Sequence, residues 1–139
     1  MGHSFEDLAI GQKASLVRIV LESDIQAYAS ISGDTNPVHL DEAYAATTPF
    51  KTRIAHGMLT ASYISALLGT RLPGPGAIYL SQTLTFKRPV KIGDEVEAEV
   101  EIIALDPEKG RATFQCRCSV LGKIVLEGEA VVLAPKRES

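Results

Sequence analysis

The chain has 139 residues, 45% of them hydrophobic and 22% charged, the size and balance of one ordinary soluble domain. A domain of this length buries on the order of two thirds of its unfolded surface, so it needs neither disulfides nor a structural metal to hold a core, and a disulfide mini-protein is excluded. Fourteen basic residues against seventeen acidic ones give a net charge of -3, which supplies no general attraction for nucleic acid or an anionic bilayer, and neither is expected as a partner.

The first twenty residues carry Glu6, Asp7, Lys13 and Arg18 with no long apolar run between them. That pattern makes neither a signal peptide nor a membrane anchor, and it leaves the cytoplasm as the expected location. Lys13 to Leu21 reads as a first strand. Ser23-Asp24-Ile25-Gln26 has the spacing of a capping box with Ser23 as the cap, predicting a helix over about residues 24 to 32 that Gly33 stops. Asp41 can cap a short helix through Ala46, which Pro49 ends before an irregular stretch to His56. The run from Gly57 to Gly69 is uncharged all round and rich in small residues, the pattern of a helix enclosed by the rest of the protein. Leu72-Pro73-Gly74-Pro75-Gly76 then breaks the chain.

From Ala77 the hydrophobic period becomes two. Ile78, Leu80, Leu84 and Phe86 fall on one face; Val96, Ala98, Val100 and Ile102 alternate with Glu95, Glu97, Glu99 and Glu101. Ala112, Phe114, Cys116, Cys118 and Val120 repeat the alternation, with Arg111 and Arg117 opposite, where they can pair with those glutamates across antiparallel strands. Cys116 and Cys118 thus point to one face, as core residues rather than a disulfide or metal site. Asp106-Pro107-Glu108-Lys109-Gly110 and Leu121-Gly122-Lys123 are hairpin connections, and Ile124 to Leu133 is the last strand. The reading is a single α+β domain over residues 1–139, an antiparallel sheet of about five strands wrapped around one apolar helix. Its exposed edges make edge-to-edge dimerisation the expectation.

Three groups of residues can carry chemistry. In Ser32-Gly33-Asp34-Thr35-Asn36-Pro37-Val38-His39, a carboxylate and an imidazole lie five residues apart on a bent loop, so both can turn toward one point. Aimed at a single water they can orient it, take its proton and later return one; as a plain turn, Asp34 and Asn36 make Asx turns and His39 satisfies a carbonyl. His56-Gly57 precedes the apolar helix. Amides of a first helical turn can hold an oxygen gaining negative charge, although glycine there can equally serve packing. Ser65, about two turns on, is open to a similar pair of readings, as a site residue or as a polar group bonded within the helix. Lys87, Arg88 and Lys91 gather near a strand end, where they can meet phosphates or simply face solvent. The sequence has no phosphate loop, no dinucleotide glycine fingerprint and no metal-ligand spacing, so no metal or redox cofactor is expected.

Taken together, Tyr28 to His39, the His56-Gly57-Met58 helix start and Phe86-Lys87-Arg88-Pro89-Val90-Lys91-Ile92-Gly93-Asp94 resemble the MaoC-like hotdog family, and within it the short R-specific enoyl-CoA hydratases that supply polyhydroxyalkanoate synthesis. The resemblance runs from about Phe5 to Leu133. It implies a hotdog fold, a homodimer joined edge to edge with a site at the interface, and reversible addition of water to a trans-2-enoyl-CoA giving an (R)-3-hydroxyacyl-CoA. Coenzyme A enters as part of the substrate and no other cofactor is implied. Carried over by position, Asp34 and His39 hold and activate water, the Gly57 amide polarises the thioester carbonyl, Asn36 supports the loop and Ser65 lies near the acyl group. Leu68, one turn deeper on the face of Ser65, is then expected on the pocket floor, and Lys87, Arg88 and Lys91 are expected near the CoA phosphates. A hotdog thioesterase and a non-catalytic acyl-CoA-binding subunit are the alternatives, and the complete Asp34/His39 pair counts against the second.

Overall fold

The computed structural model describes residues 2–137, so Met1, Glu138 and Ser139 of the domain read from sequence lie outside the described residues. After a 3-10 turn at Phe5–Asp7, the chain forms β1 (Lys13–Ile19), α1 (Glu22–Ser32), α2 (Pro37–Leu40), α3 (Glu42–Ala45), α4 (Gly57–Thr70), β2 (Ile78–Gln82), β3 (Thr85–Phe86), β4 (Glu95–Asp106), β5 (Arg111–Val120) and β6 (Lys123–Leu133). All strands join one antiparallel sheet in the order β1-β4-β5-β6-β2, with β3 also paired to β6. The sheet therefore has six strands rather than about five. The added strand arises because a bulge between Tyr79 and Ser81, followed by Thr83-Leu84, divides the segment read as one alternating face into β2 and β3.

The alternation in the two long central strands sets the core. Val96, Ala98, Val100 and Ile102 of β4 and Ala112, Phe114, Cys116 and Cys118 of β5 are all fully buried, facing Ile64, Leu67 and Leu68 of α4. Both cysteines are free thiols in this layer, and burial pushes Cys116 up to about 11 and Cys118 up to about 12, as it does for any buried ionisable thiol. On the opposite face Glu99 stands across from Arg117 in the register, and the Arg117 guanidinium lies 3.7 Å from Glu99 and 3.8 Å from Glu101.

Two helical expectations change. Ser23 does not cap α1: the helix starts two residues earlier than expected, at Glu22, and Asp24 reaches back so that its Oδ2 accepts the Leu21 N–H at 2.9 Å. A carboxylate in the first turn also meets the positive end of the helix dipole, which a serine hydroxyl does not exploit. Nor is α4 enclosed on every side. Met58, Ser62, Ser65 and Gly69 recur along one face and are exposed in the single chain. Gly33 does end α1, in the left-handed conformation with φ 78°, and its N–H donates to Ala29 O.

The two faces of the sheet carry very different energies. Phe114→Ala should cost about 3–5 kcal/mol in urea unfolding, because it empties the core against α4. Arg117→Ala should cost less than about 1 kcal/mol, because the ion pairs that it breaks are solvated.

Candidate active site

The loop that follows Gly33 is shaped by its own short polar side chains. The Asp34 N–H donates to Ser32 Oγ (3.0 Å), the Asn36 N–H to Asp34 Oδ1 (3.2 Å), and the Val38 N–H to Asn36 Oδ1 (3.1 Å). Asn36 thereby caps α2, with Pro37 in the first helical position, where its missing N–H costs nothing. One turn of helix then carries His39 inward, to 9% exposure, while Asp34 stays open to solvent.

A strap of residues 53–56 crosses this loop and bonds it at four points. The Ile54 N–H donates to Val38 O (3.3 Å), and Arg53 Nε donates to His39 O (2.7 Å). His39 Nδ1 lies 2.8 Å from Ile54 O, and His56 Nε2 lies 2.9 Å from Asp34 O. A carbonyl oxygen only accepts, so each of these ring nitrogens carries the proton and donates. For His39 this leaves the Nε2 lone pair as the basic position. The two imidazoles stack with ring centroids 3.9 Å apart, and Tyr28 packs on the other ring at 4.6 Å from His56.

Burial pushes the His39 imidazole below its ordinary value. The hydrogen bond to the Ile54 carbonyl and the Asp34 charge oppose that shift, while His56 adds to it. The neutral, proton-accepting form of His39 is thus kept toward mildly acidic pH. By linkage, the folded state loses stability as pH falls through the range between the unfolded and folded values.

Asp34, His39 and Gly57 line one cavity of about 390 Å³, walled by Phe50, Ile54, Phe86 and Val90 among others. Gly57 is the first residue of α4, where amides have no partner within the helix and the dipole is positive. A Cβ at this position would stand 2.6 Å from Phe86 Cε1, so glycine lets the Phe86 ring lie directly against the helix start. The cavity thus faces a carboxylate and a neutral imidazole toward a preorganised donor. That pairing suits activation of water on one side and charge stabilisation on the other.

Asp34, His39 and His56 also present ligand-type atoms within 4.8 Å of one another. Stacked imidazoles direct their in-plane lone pairs side by side rather than toward one centre, and each ring already spends a nitrogen on a carbonyl. This donor set is a poor match for the convergent sphere of a transition metal.

The remaining residues singled out from sequence do not all meet here. Lys87 and Arg88 line the same cavity, with Lys87 Nζ 3.1 Å from Glu127 and Arg88 Nη1 donating to Ile124 O at 3.0 Å. Lys91 does not line it; this residue bridges Ile54, and its N–H donates to Asp94 Oδ2. Ser65 lines a second cavity of about 420 Å³ between α4 and β2, with Met58 shared between the two. Leu68, expected on the pocket floor, is instead 2% exposed within the core and lines neither cavity. Three residues along a helix turn a side chain by about 60°, enough here to move it from the face of Ser65 onto the sheet.

The role of His56 as a donor to the Asp34 backbone and the reach of Arg53 to His39 were not apparent from spacing. The sequence carries no signal for either contact, since nothing in it tells Arg53 from the neighbouring Lys51.

The MaoC like domain model matches residues 7–124. Over 135 residues the chain is 60% identical to an (R)-specific enoyl-CoA hydratase of Rhodospirillum rubrum, covering 97% of this chain and 94% of that protein. A 3-hydroxybutyryl-CoA dehydratase of Methylorubrum extorquens is 57% identical, over 96% of this chain and 85% of its own. Among solved structures, the (R)-hydratase from Aeromonas caviae involved in PHA biosynthesis superposes with a TM-score of 0.91 at 50% identity, covering 94% of this chain and 99% of that one.

In an NMR titration the His39 ring should show a midpoint below that of histidine in the urea-unfolded protein. Asp34→Asn should lower it further, because the carboxylate charge opposes the shift.

Proposed function

The chain belongs to the MaoC-like domain family and has its hotdog fold, and from that premise we propose that it is a hydratase interconverting trans-2-enoyl-CoA and (R)-3-hydroxyacyl-CoA by the action of Asp34 and His39 on one water. The names of the relatives at 60% and 57% identity support the reaction. The observation that carries the residue assignment is the His39 Nδ1 bond to Ile54 O, which commits Nε2 to accept a proton beside Asp34 in the cavity that Gly57 also lines.

Water is a poor nucleophile, and the alkene becomes electrophilic at C3 only if negative charge can move to the thioester oxygen. The Asp34 carboxylate and His39 Nε2 hold the water; Nε2 takes its proton as the oxygen attacks C3. The Gly57 N–H, at the positive end of α4, donates to the thioester oxygen as charge gathers there. A proton from the dyad then enters at C2 and closes the addition. The reverse sequence is dehydration. Attack from the side where the dyad sits gives one configuration at C3.

Lys87 and Arg88 line the cavity wall, which supports the reading that they meet the CoA phosphates, and Ser65 lines the neighbouring cavity beyond Met58, which supports its nearness to the acyl tail. The working unit is a homodimer. The β2 edge of the sheet, which leaves Ile78, Tyr79 and Leu80 exposed, supports it, as does the exposed uncharged face of α4, where Met58 stands among small residues. No described helix is long and apolar enough to cross a membrane, and the cytoplasm is the proposed location. A link to polyhydroxyalkanoate supply rests on the Aeromonas caviae protein.

The test uses purified protein and crotonyl-CoA, following enoyl-thioester absorbance, free thiol and product chirality together. Loss of absorbance with an (R) product and no thiol is expected; thiol release would instead mean a thioesterase. Asp34→Asn and His39→Ala should each lower kcat by roughly a hundred- to ten-thousandfold with the fold intact, the range for losing a positioned acid or base.

A further inference from the structure

The Arg53 guanidinium makes three hydrogen bonds at once: Nη1 and Nη2 donate to the two carboxylate oxygens of Glu22 at 2.7 Å each, and Nε donates to His39 O at 2.7 Å. The side chain is only 12% exposed although Glu22 is 52% exposed, and Arg53 does not line the cavity that holds Asp34 and His39. Its donors are spent on Glu22 and on the His39 carbonyl rather than on the cavity. What it holds is the main-chain carbonyl of His39 itself, at the last turn of a four-residue helix whose other end carries the Asn36 cap.

Such a helix is too short to be rigid alone, and its final carbonyls have no partner within it. We propose that Arg53 is a positioning residue for His39: by tying the His39 carbonyl to Glu22 of α1, it fixes the backbone from which the imidazole reaches Ile54 O, and so keeps Nε2 as the basic nitrogen. The next residue of the same strap, Ile54, supplies the carbonyl for that ring bond. A rotation of His39 that broke one of the two bonds would therefore strain the other. The fork matters more than the charge. A lysine at position 53 carries the same charge but cannot reach Glu22 through two donors and the carbonyl through a third in one plane.

This inference rests on the hydratase reading for its kinetic arm and has a second arm that does not. In histidine-specific nitrogen NMR at pH values where His39 is neutral, the wild-type ring should show Nδ1 protonated and Nε2 bare. In Arg53→Lys and Arg53→Gln that signature should relax toward the mixed tautomers of a free imidazole. With crotonyl-CoA, kcat should fall by about 10- to 100-fold, the scale of a misplaced catalytic group, while KM stays near the wild-type value. Glu22→Gln, at an exposed position, keeps the fold and should shift both readouts in the same direction by less. Folded variants with a lowered Tm but a wild-type His39 tautomer and kcat would overturn the proposal, as would full rescue by Arg53→Lys, which would mean that charge alone suffices. Failure of the wild-type protein to hydrate crotonyl-CoA would instead overturn the reading of the site, and the imidazole signals would still decide the role of Arg53.

Discussion

The candidate site depends on a pair of hydrogen bonds between two histidine rings and two main-chain carbonyls. His39 Nδ1 donates to Ile54 O and His56 Nε2 donates to Asp34 O, so each segment offers a ring to the backbone of the other. Both rings are buried, to 9% and 2% exposure, and a buried imidazole without a partner would be costly. Each bond is worth only about 1 kcal/mol net. Their value lies in the constraint: they bring residues 34 and 39 to residues 54 and 56 in a single geometry, and they choose which nitrogen of His39 is basic. A turn that could have been mere connection becomes a site because a second segment reads its carbonyls.

That second segment is held in turn by the sheet. The Ala55 N–H donates to Val90 O at 2.7 Å and Ile54 bridges Lys91, so the strap is stitched to the chain between β3 and β4. Directly after the strap, α4 begins at Gly57, whose missing side chain lets Phe86 close over the helix start. The sheet grips α4 through Ile64, Leu67 and Leu68 against β4 and β5. Core packing thereby fixes where the Gly57 amide points, the strap fixes the dyad relative to that amide, and the cavity between them is set by the same contacts that stabilise the fold.

Local patterning explains why some of this was legible from the chain alone. The alternation of glutamates with Val96, Ala98, Val100 and Ile102 and the arginines on the next strand point to antiparallel pairing, and Glu99 does face Arg117, while Arg111 stands opposite Asp106 rather than one of those glutamates. The Asp34 to His39 spacing and the His56-Gly57 helix start were legible for the same reason, since each is contained in a few consecutive residues. What sequence could not supply were relations between distant segments. Whether Asp24 or Ser23 would cap α1 turned on which side chain reached back, and whether Leu68 faced the acyl route or the sheet turned on about 60° of helix rotation. Arg53 finds Glu22 thirty-one positions away and His39 fourteen positions away, contacts that no periodicity encodes.

The central claim is that Asp34 and His39 act on one water rather than contributing separately. A double-mutant cycle in kcat on crotonyl-CoA, with Asp34→Asn, His39→Ala and the combination, tests it most directly. Groups that serve a single proton transfer should be strongly coupled, so the double variant should be about as slow as the slower single variant. Multiplication of the two single effects in a folded double variant would mean that the residues work independently, and would contradict the account.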